Sequence, residues 1–284
     1  QLPRSDGVPA ALAPIGGVVE LPAGTFVTSR GIKLPSGVTL KGQGAATIIK
    51  CSAPADSAAI LLSSPYGHGS NIAAHVVGLC IYTDKARGVA VDSEVSRTVE
   101  DLVLRDLILN TAGTALDLMP PGSREPLYFP EIRNIRCRTL GSGAIRIYAR
   151  VAAISGFKMS NFPREGFVAP KDAMCVFDGH GTISDSQFEG YPNASMMLMK
   201  GTWTLRGNWC ESYAENVPHV TCDHAIIDAD NLFFFHPKAK LILRSSWVTT
   251  SHLENRNDPS AVEADEKSKL TVANEPGKSR NVGK

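Results

Sequence analysis

The sequence predicts an all-β chain wound as a solenoid, a parallel β-helix whose coils each carry three short strands. Three observations predict it. A six-residue phrase (apolar, any, Gly/Asp/Asn, apolar or small, any, apolar) begins at Val76, Leu104, Ile132, Ile154, Ile183 and Leu205, at intervals of 28, 28, 22, 29 and 22 residues. A second apolar strand signal lies between successive copies. Helix-period stretches and Asn-Gly turns are absent, and Asp6-Gly7 and Asp178-Gly179 are the only Asp-Gly pairs, which disfavours antiparallel hairpins. A repeat of this length means stacked supersecondary units rather than one closed core.

Each copy of the phrase, such as Val76-Val77-Gly78-Leu79-Cys80-Ile81, alternates with a period of two on either side of its third residue. That reads as two strands joined at a tight bend, where Gly, Asn and Asp tolerate a left-handed backbone. A looser copy starts at Leu243, 38 residues after the sixth, with Ser245 at the bend and Trp247 after it. The third strand of each coil is expected at Leu116-Asp117-Leu118, Ile145 to Ala149, Phe167-Val168-Ala169, Met196 to Met199 and around Ile226-Ile227-Asp228. The β-helix domain is expected over residues 1–253, with an irregular start at 1–15. Residues 254–284 read as a polar tail with one frayed strand at Leu270-Thr271-Val272.

Bulk composition excludes more than it assigns. The formal net charge of +1 gives no global field to recruit nucleic acid, and no apolar run approaches the roughly 18 residues of a membrane span. Opening at Gln1, without Met or a signal peptide, fits a processed secretory product or an excised fragment. The six cysteines lack Cys-x-x-Cys spacing, so a zinc site is not expected. Cys137 and Cys210 share a repeat position three coils apart, too far for a disulfide, and are expected as buried thiols. Cys210 and Cys222 are the pair that could close a loop.

The run Gly16-Gly17-Val18-Val19-Glu20-Leu21-Pro22-Ala23-Gly24-Thr25-Phe26, followed by Ile32-Lys33-Leu34-Pro35-Ser36-Gly37-Val38-Thr39-Leu40-Lys41-Gly42-Gln43-Gly44, resembles the first coils of the pectate-lyase-like superfamily. The repeat extends that resemblance to roughly residue 250. It implies a right-handed parallel β-helix, and many members are secreted enzymes that cut polysaccharides. Others are phage tail proteins or non-catalytic binding domains, so the resemblance implies no one reaction. It also implies that substrate lies along the sheet formed by the strands between phrases. Two departures stand out. Val8 to Ile15, broken by Pro9 and Pro14, is too short for the capping helix such chains usually carry. Gly179-His180-Gly181 is similar to a polygalacturonase triplet, yet the Asn-Thr-Asp, Asp-Asp and Arg-Ile-Lys partners are missing.

In a stacked coil, chemistry is read down columns spaced by about 4.8 Å. The fifth position of the phrase carries Arg136, Lys158, Gln187, Trp209 and Trp247. The position after the phrase carries Arg138, Ser160, Glu189 and Glu211. Glu189 and Glu211 are expected about 5 Å apart, near the separation of a retaining glycosidase pair, where like charge would raise one of the two pKa values. The strand between phrases offers Asp117, Arg146, Tyr148 and Arg150 outward, then Val168, Met197 and Met199, then Asp228 and Asp230. Asp117, Arg146, Tyr148, Glu189 and Glu211 are therefore the candidate catalytic residues. Arg136, Arg138, Lys158, Arg150 and Trp209 are the candidate substrate-binding residues, cations to pair carboxylates and an indole to stack on a sugar face. Each also has a plain reading as solvated charge or cross-strand ion pair.

No cofactor is expected. Asp228-Ala229-Asp230 is the nearest approach to a calcium cluster, and His219 and His224 read as incidental. The expected function is that of a secreted or cell-surface, polysaccharide-active β-helix protein, a polysaccharide lyase or glycoside hydrolase acting on an acidic glycan. The alternative is a non-catalytic glycan-binding or structural module. The expected partner is a polysaccharide, without nucleic acid or a membrane span. Met197 and Met199 on an outer face leave room for an oligomer.

Overall fold

The computed structural model describes residues 16–64, 69–119, 125–139, 143–160, 173–192, 194–213, 218–232, 240–253 and 261–272. Its 26 strands join into one continuous ladder in which every described pairing is parallel. Each coil contributes to three main sheets, and a short fourth ladder, Gly69–Ile72, Val95–Glu100 and Leu127–Tyr128 continuing to Ala149 and Arg150, lies between the first and second. The first sheet starts from Ile32–Leu34, Ala58–Leu62, Arg87–Val91 and Leu116–Leu118, the second from Gly17–Glu20, Val38–Lys41 and His75–Val77, and the third from Gly24–Thr28, Thr47–Cys51 and Cys80–Thr83. Longer strands turn a corner and serve two sheets, as Val103–Thr111 and Glu131–Thr139 do for the second and third.

The six phrases superimpose. Val76, Leu104, Ile132, Ile154, Ile183 and Leu205 are successive in-register partners, as are Ile81, Leu109, Cys137, Met159, Phe188 and Cys210. Their third residues, Gly78, Asp106, Asn134, Gly156, Asp185 and Gly207, all hold φ between 50° and 65°. These are the residue types that enter this region at least strain, so the sequence turns at one corner of every coil.

The looser seventh copy does not join that column. Leu243 pairs with Cys222 and Ala264 in the first sheet, and Trp247 pairs with Ile226 and Lys269 in the second. Leu205 is followed instead by Ala229 and then Thr250. The physical reason is a second left-handed corner, between first and second sheets, occupied by Asp101, Phe129, Val151, His224 and Ser245 at φ of 48° to 57°. Two corners thus share one local pattern, and Trp209 and Trp247 stand on different sheets.

Inward residues fill the coil with aliphatic ladders. Around Phe188 they become aromatic: Phe157 stacks on it at 5.8 Å, Phe177 meets it edge-on at 5.9 Å, and Trp203 meets Phe177 at 5.7 Å. Removing one such ring costs about 3–5 kcal/mol. All six cysteines are buried and free, which disposes of a Cys210–Cys222 bridge, and burial pushes the Cys210 and Cys222 thiols up to about 12.

Three further expectations change. Met197 and Met199 point into the core, and Val176 and Leu198 take the outward positions of that column. Alternation predicted this pattern but not its phase, because an all-apolar run offers no polar residue to mark the outside. The Ile226-Ile227-Asp228 strand belongs to the second sheet, residues 220–223 supplying the first. Stacking also continues past residue 253: Val262–Ala264 pairs with Lys240–Arg244, and Lys269–Val272 pairs with Trp247–Leu253. The polar composition there hides a coil whose interior needs only Leu270 and a few small residues. The expected strand at 167–169 and the start at 1–15 lie outside the described residues.

Candidate functional site

The third sheet gathers six of the ten residues singled out by sequence. Asn134, at the left-handed corner and donating from Nδ2 to Asp106 Oδ1 at 2.6 Å, aims the following strand so that Ile135 and Cys137 go in while Arg136 and Arg138 go out. On the next coil Lys158 is the register partner of Arg136, and Ser160 that of Arg138. One coil further, Gln187 and Glu189 take those places, and then Trp209 and Glu211. The Asp185 corner is held by Asn208, whose Oδ1 accepts from Ser186 N at 3.0 Å and whose Nδ2 donates to Ile183 O at 2.7 Å. The Gly207 amide donates to Asp230 Oδ2 at 2.7 Å.

The result is a shallow groove of about 280 Å³ over Ile108, Asn110, Arg136, Arg138, Lys158 and Glu189. Its charges are sorted by coil. Arg136, Arg138 and Lys158 are exposed, and among the described residues none forms an ion pair. Like charges on neighbouring strands repel, so an anion laid across them gains from all three. Beyond them come Glu189, hydrogen-bonded by Gln187, and Glu211, which accepts from Trp209 Nε1 at 3.3 Å. The two glutamates are register partners one rung apart, about 4.8 Å in the backbone.

Two residues not anticipated from sequence complete this end. Tyr213 is hydrogen-bonded to Glu211, and its ring lies 5.4 Å from that of Tyr191. Burial first, then the charges of Glu189 and Glu211, push the Tyr213 phenol up to about 12, so it keeps its proton at neutral pH. The signal was present: Tyr191 and Tyr213 occupy the same repeat position in neighbouring coils, two residues beyond the glutamates.

The other four candidates lie apart, along the first sheet and its corner. Asp117 is buried and is the register partner of Arg146, but its ion pair is with Arg87, whose Nη1 donates to Oδ2 at 2.9 Å. The rest of the Arg87 guanidinium is occupied by Ser57 O at 3.2 Å and Asp56 O at 2.7 Å. Arg146 is exposed beside this pair and outside it. Tyr148 is in register with Asp178, and the Arg150 guanidinium sits 5.7 Å over the Tyr128 ring. Asp228 pairs with Arg206 at 2.5 Å, and Asp230 Oδ2 accepts from the Gly207 amide. Among the described residues no group of three His, Cys, Asp or Glu is placed to hold a metal, and no helix is long and apolar enough to cross a membrane. Gly179 of the Gly-His-Gly triplet has a backbone reason: at φ 101°, an added Cβ would lie 1.9 Å from Ala149 O.

No protein-family model matches the chain, and no curated protein matches it. Among solved structures it is similar to ORF18 of Geobacillus virus E2, at 12% identity and a TM-score of 0.44, over 91% of this chain and 53% of that one. The chain thus spans about half the length of the viral protein. It is also similar to the AlgE6 A-module, a mannuronan C-5 epimerase of Azotobacter vinelandii, at 14% identity and a TM-score of 0.41, over 92% and 91% of the two chains. A pectin methylesterase mutant solved with a hexasaccharide is similar at 11% identity and a TM-score of 0.40, over 96% and 85%.

Proposed function

We propose that the outer face of the third sheet binds an acidic polysaccharide, outside the cell or at its surface, and that the Glu189–Glu211–Tyr213 end cuts the chain. The observation that carries this reading is the segregation of charge: three cations that form no ion pair among the described residues on two coils, then two hydrogen-bonded carboxylates and a protonated phenol on the next two. Elimination uses all of these parts. Arg136, Arg138 and Lys158 neutralise uronate carboxylates, which acidifies the adjacent C–H bond. A glutamate takes that proton, the electron pair forms the new C=C bond, and the glycosidic C–O bond breaks. Tyr213 gives its proton to the departing oxygen, consistent with a phenol that holds its proton. Hydrolysis by the two glutamates as a carboxylate pair is the companion chemistry. Trp209, half exposed beside Glu211, offers a face for a sugar ring. The shallowness of the groove favours a second reading, a glycan-binding or structural module without turnover.

Incubation with a panel of uronate-containing and neutral polysaccharides tests the proposal. Elimination yields new reducing ends together with unsaturated-uronate absorbance, and hydrolysis yields the ends alone. Glu211→Gln is expected to lower turnover at least 100-fold, on the scale of losing a positioned acid or base. The same loss in Arg146→Ala, with Glu211→Gln unaffected, would move the site to the first sheet. Binding without product across the panel would leave only the non-catalytic module.

A further inference from the structure

The third sheet's outer face does not end at the arginines. The column that carries Arg138, Glu189 and Glu211 begins with Val27, Lys50, Tyr82 and Asn110, each in register with the next. A second depression, of about 580 Å³, lies over Val27, Ile48, Lys50, Tyr82 and Asp84. It abuts the first, since Tyr82 partners Asn110 and Cys80 partners Ile108. Seven steps of about 4.8 Å give one straight face of roughly 34 Å from Val27 to Glu211.

The two depressions differ in what they accept. Around Tyr82, Lys50 and Asp84 cancel (+1 − 1 = 0), whereas Arg136, Arg138, Lys158 and Glu189 sum to +2 (+3 − 1). The first coils instead present apolar surface to solvent: Val27 is 62% exposed and Tyr82 42%. Tyr82 projects from the outer face of the Cys80–Thr83 strand, its ring open to solvent. An ionised sugar laid there would lose water without gaining a net cation. An uncharged sugar would cover the aliphatic surface and stack on the ring.

Building on the acidic-glycan reading of this face, we infer that the ligand is an acidic heteroglycan, with uncharged sugar units over Val27, Ile48 and Tyr82 and uronates over Arg136, Arg138 and Lys158. A chain in which every unit is charged satisfies one depression and not the other.

The test is calorimetric binding of the whole chain to three oligosaccharides of matched length. These are oligogalacturonate (every unit charged), a block oligosaccharide (a run of uncharged units joined to a run of uronates) and cello-oligosaccharide (uncharged). The mixed ligand should bind at least tenfold more tightly than either other. Tyr82→Ala should erase that preference while leaving oligogalacturonate affinity unchanged, and Tyr82→Phe should retain it. Oligogalacturonate binding as tightly as the block oligosaccharide, or Tyr82→Ala weakening all ligands equally, would overturn the inference and spare the parent reading. Absence of binding to both charged ligands, with the coil intact by circular dichroism, would overturn the parent reading itself.

Discussion

The first and third sheets turn faces of similar composition to solvent and use them differently. On the first, most of the charges meet their opposites, Arg87 with Asp117, Lys33 with Asp92 and Glu94, and Lys200 with Asp223, while Arg146 stands exposed beside them. On the third, cations and anions occupy separate coils, and Arg136, Arg138 and Lys158 are left to solvent. An ion pair satisfied within the fold holds the coil together and has little left for a ligand. A row of like charges does nothing for stability and much for an oppositely charged polymer. Pairing, rather than residue type, separates the face that is closed on itself from the one proposed to bind.

The largest expected effect breaks the first face. Arg87→Ala strands the buried Asp117 carboxylate, whose Oδ1 already lacks a hydrogen-bond partner. A loss of about 3 kcal/mol in denaturant unfolding is expected, with glycan affinity within twofold of the parent chain. An equal fall in affinity would mean that the two faces are not independent.

The converse substitution is Arg136→Ala with Arg138→Ala. Each charged hydrogen bond is worth about 1.5–3 kcal/mol, so affinity for an acidic glycan should fall at least 100-fold. The unfolding midpoint should hold or rise slightly, because repulsion with Lys158 is relieved. A large stability loss with affinity retained would reverse the roles assigned to the two sheets.

Much of this was legible in the sequence, and the gaps have identifiable causes. The six corners were legible because Gly, Asp and Asn are the cheapest occupants of a left-handed bend, and Glu189 and Glu211 followed directly from that register. The seventh copy misleads because Ser245 turns at the other corner with the same backbone angle. Met197 and Met199 misled because four consecutive apolar residues carry no phase. Arg87 escaped notice because its partnership with Asp117 depends on how an irregular turn, with Ser57 O and Asp56 O, meets the next coil. Such turns follow no repeat.

A smaller effect concerns Tyr213. Its phenol, raised to about 12 by burial and by Glu189 and Glu211, contributes stability that is complete below pH 10 and lost as pH rises toward 12. In an ultraviolet titration of phenolate, one step should fall well above the ordinary tyrosine value of about 10. Glu189→Gln and Glu211→Gln should each bring that step earlier, and Tyr213→Phe should remove it. A late step that ignores both glutamate substitutions would assign it to burial alone and weaken the case for a shared proton at this end of the groove.

The smallest expected effect returns to the first face. Burial works against ionisation of Asp223, but hydrogen bonds from His224 and Lys200 and the Lys200 charge hold its carboxyl below the usual range. A depressed carboxylate contributes stability above its unfolded value of about 3.9, lost as pH falls through the folded value. Lys200 and Asp223 are partly open to water, so the contribution is below about 1 kcal/mol. Lys200→Met should therefore be slightly less stable at neutral pH, and the difference should close in acid once Asp223 is protonated in both chains. Glycan affinity should not change at any pH. A stability difference that persists in acid would show that Lys200 acts by packing its methylenes against the sheet rather than through charge, and the first face would then owe less to pairing than its geometry implies.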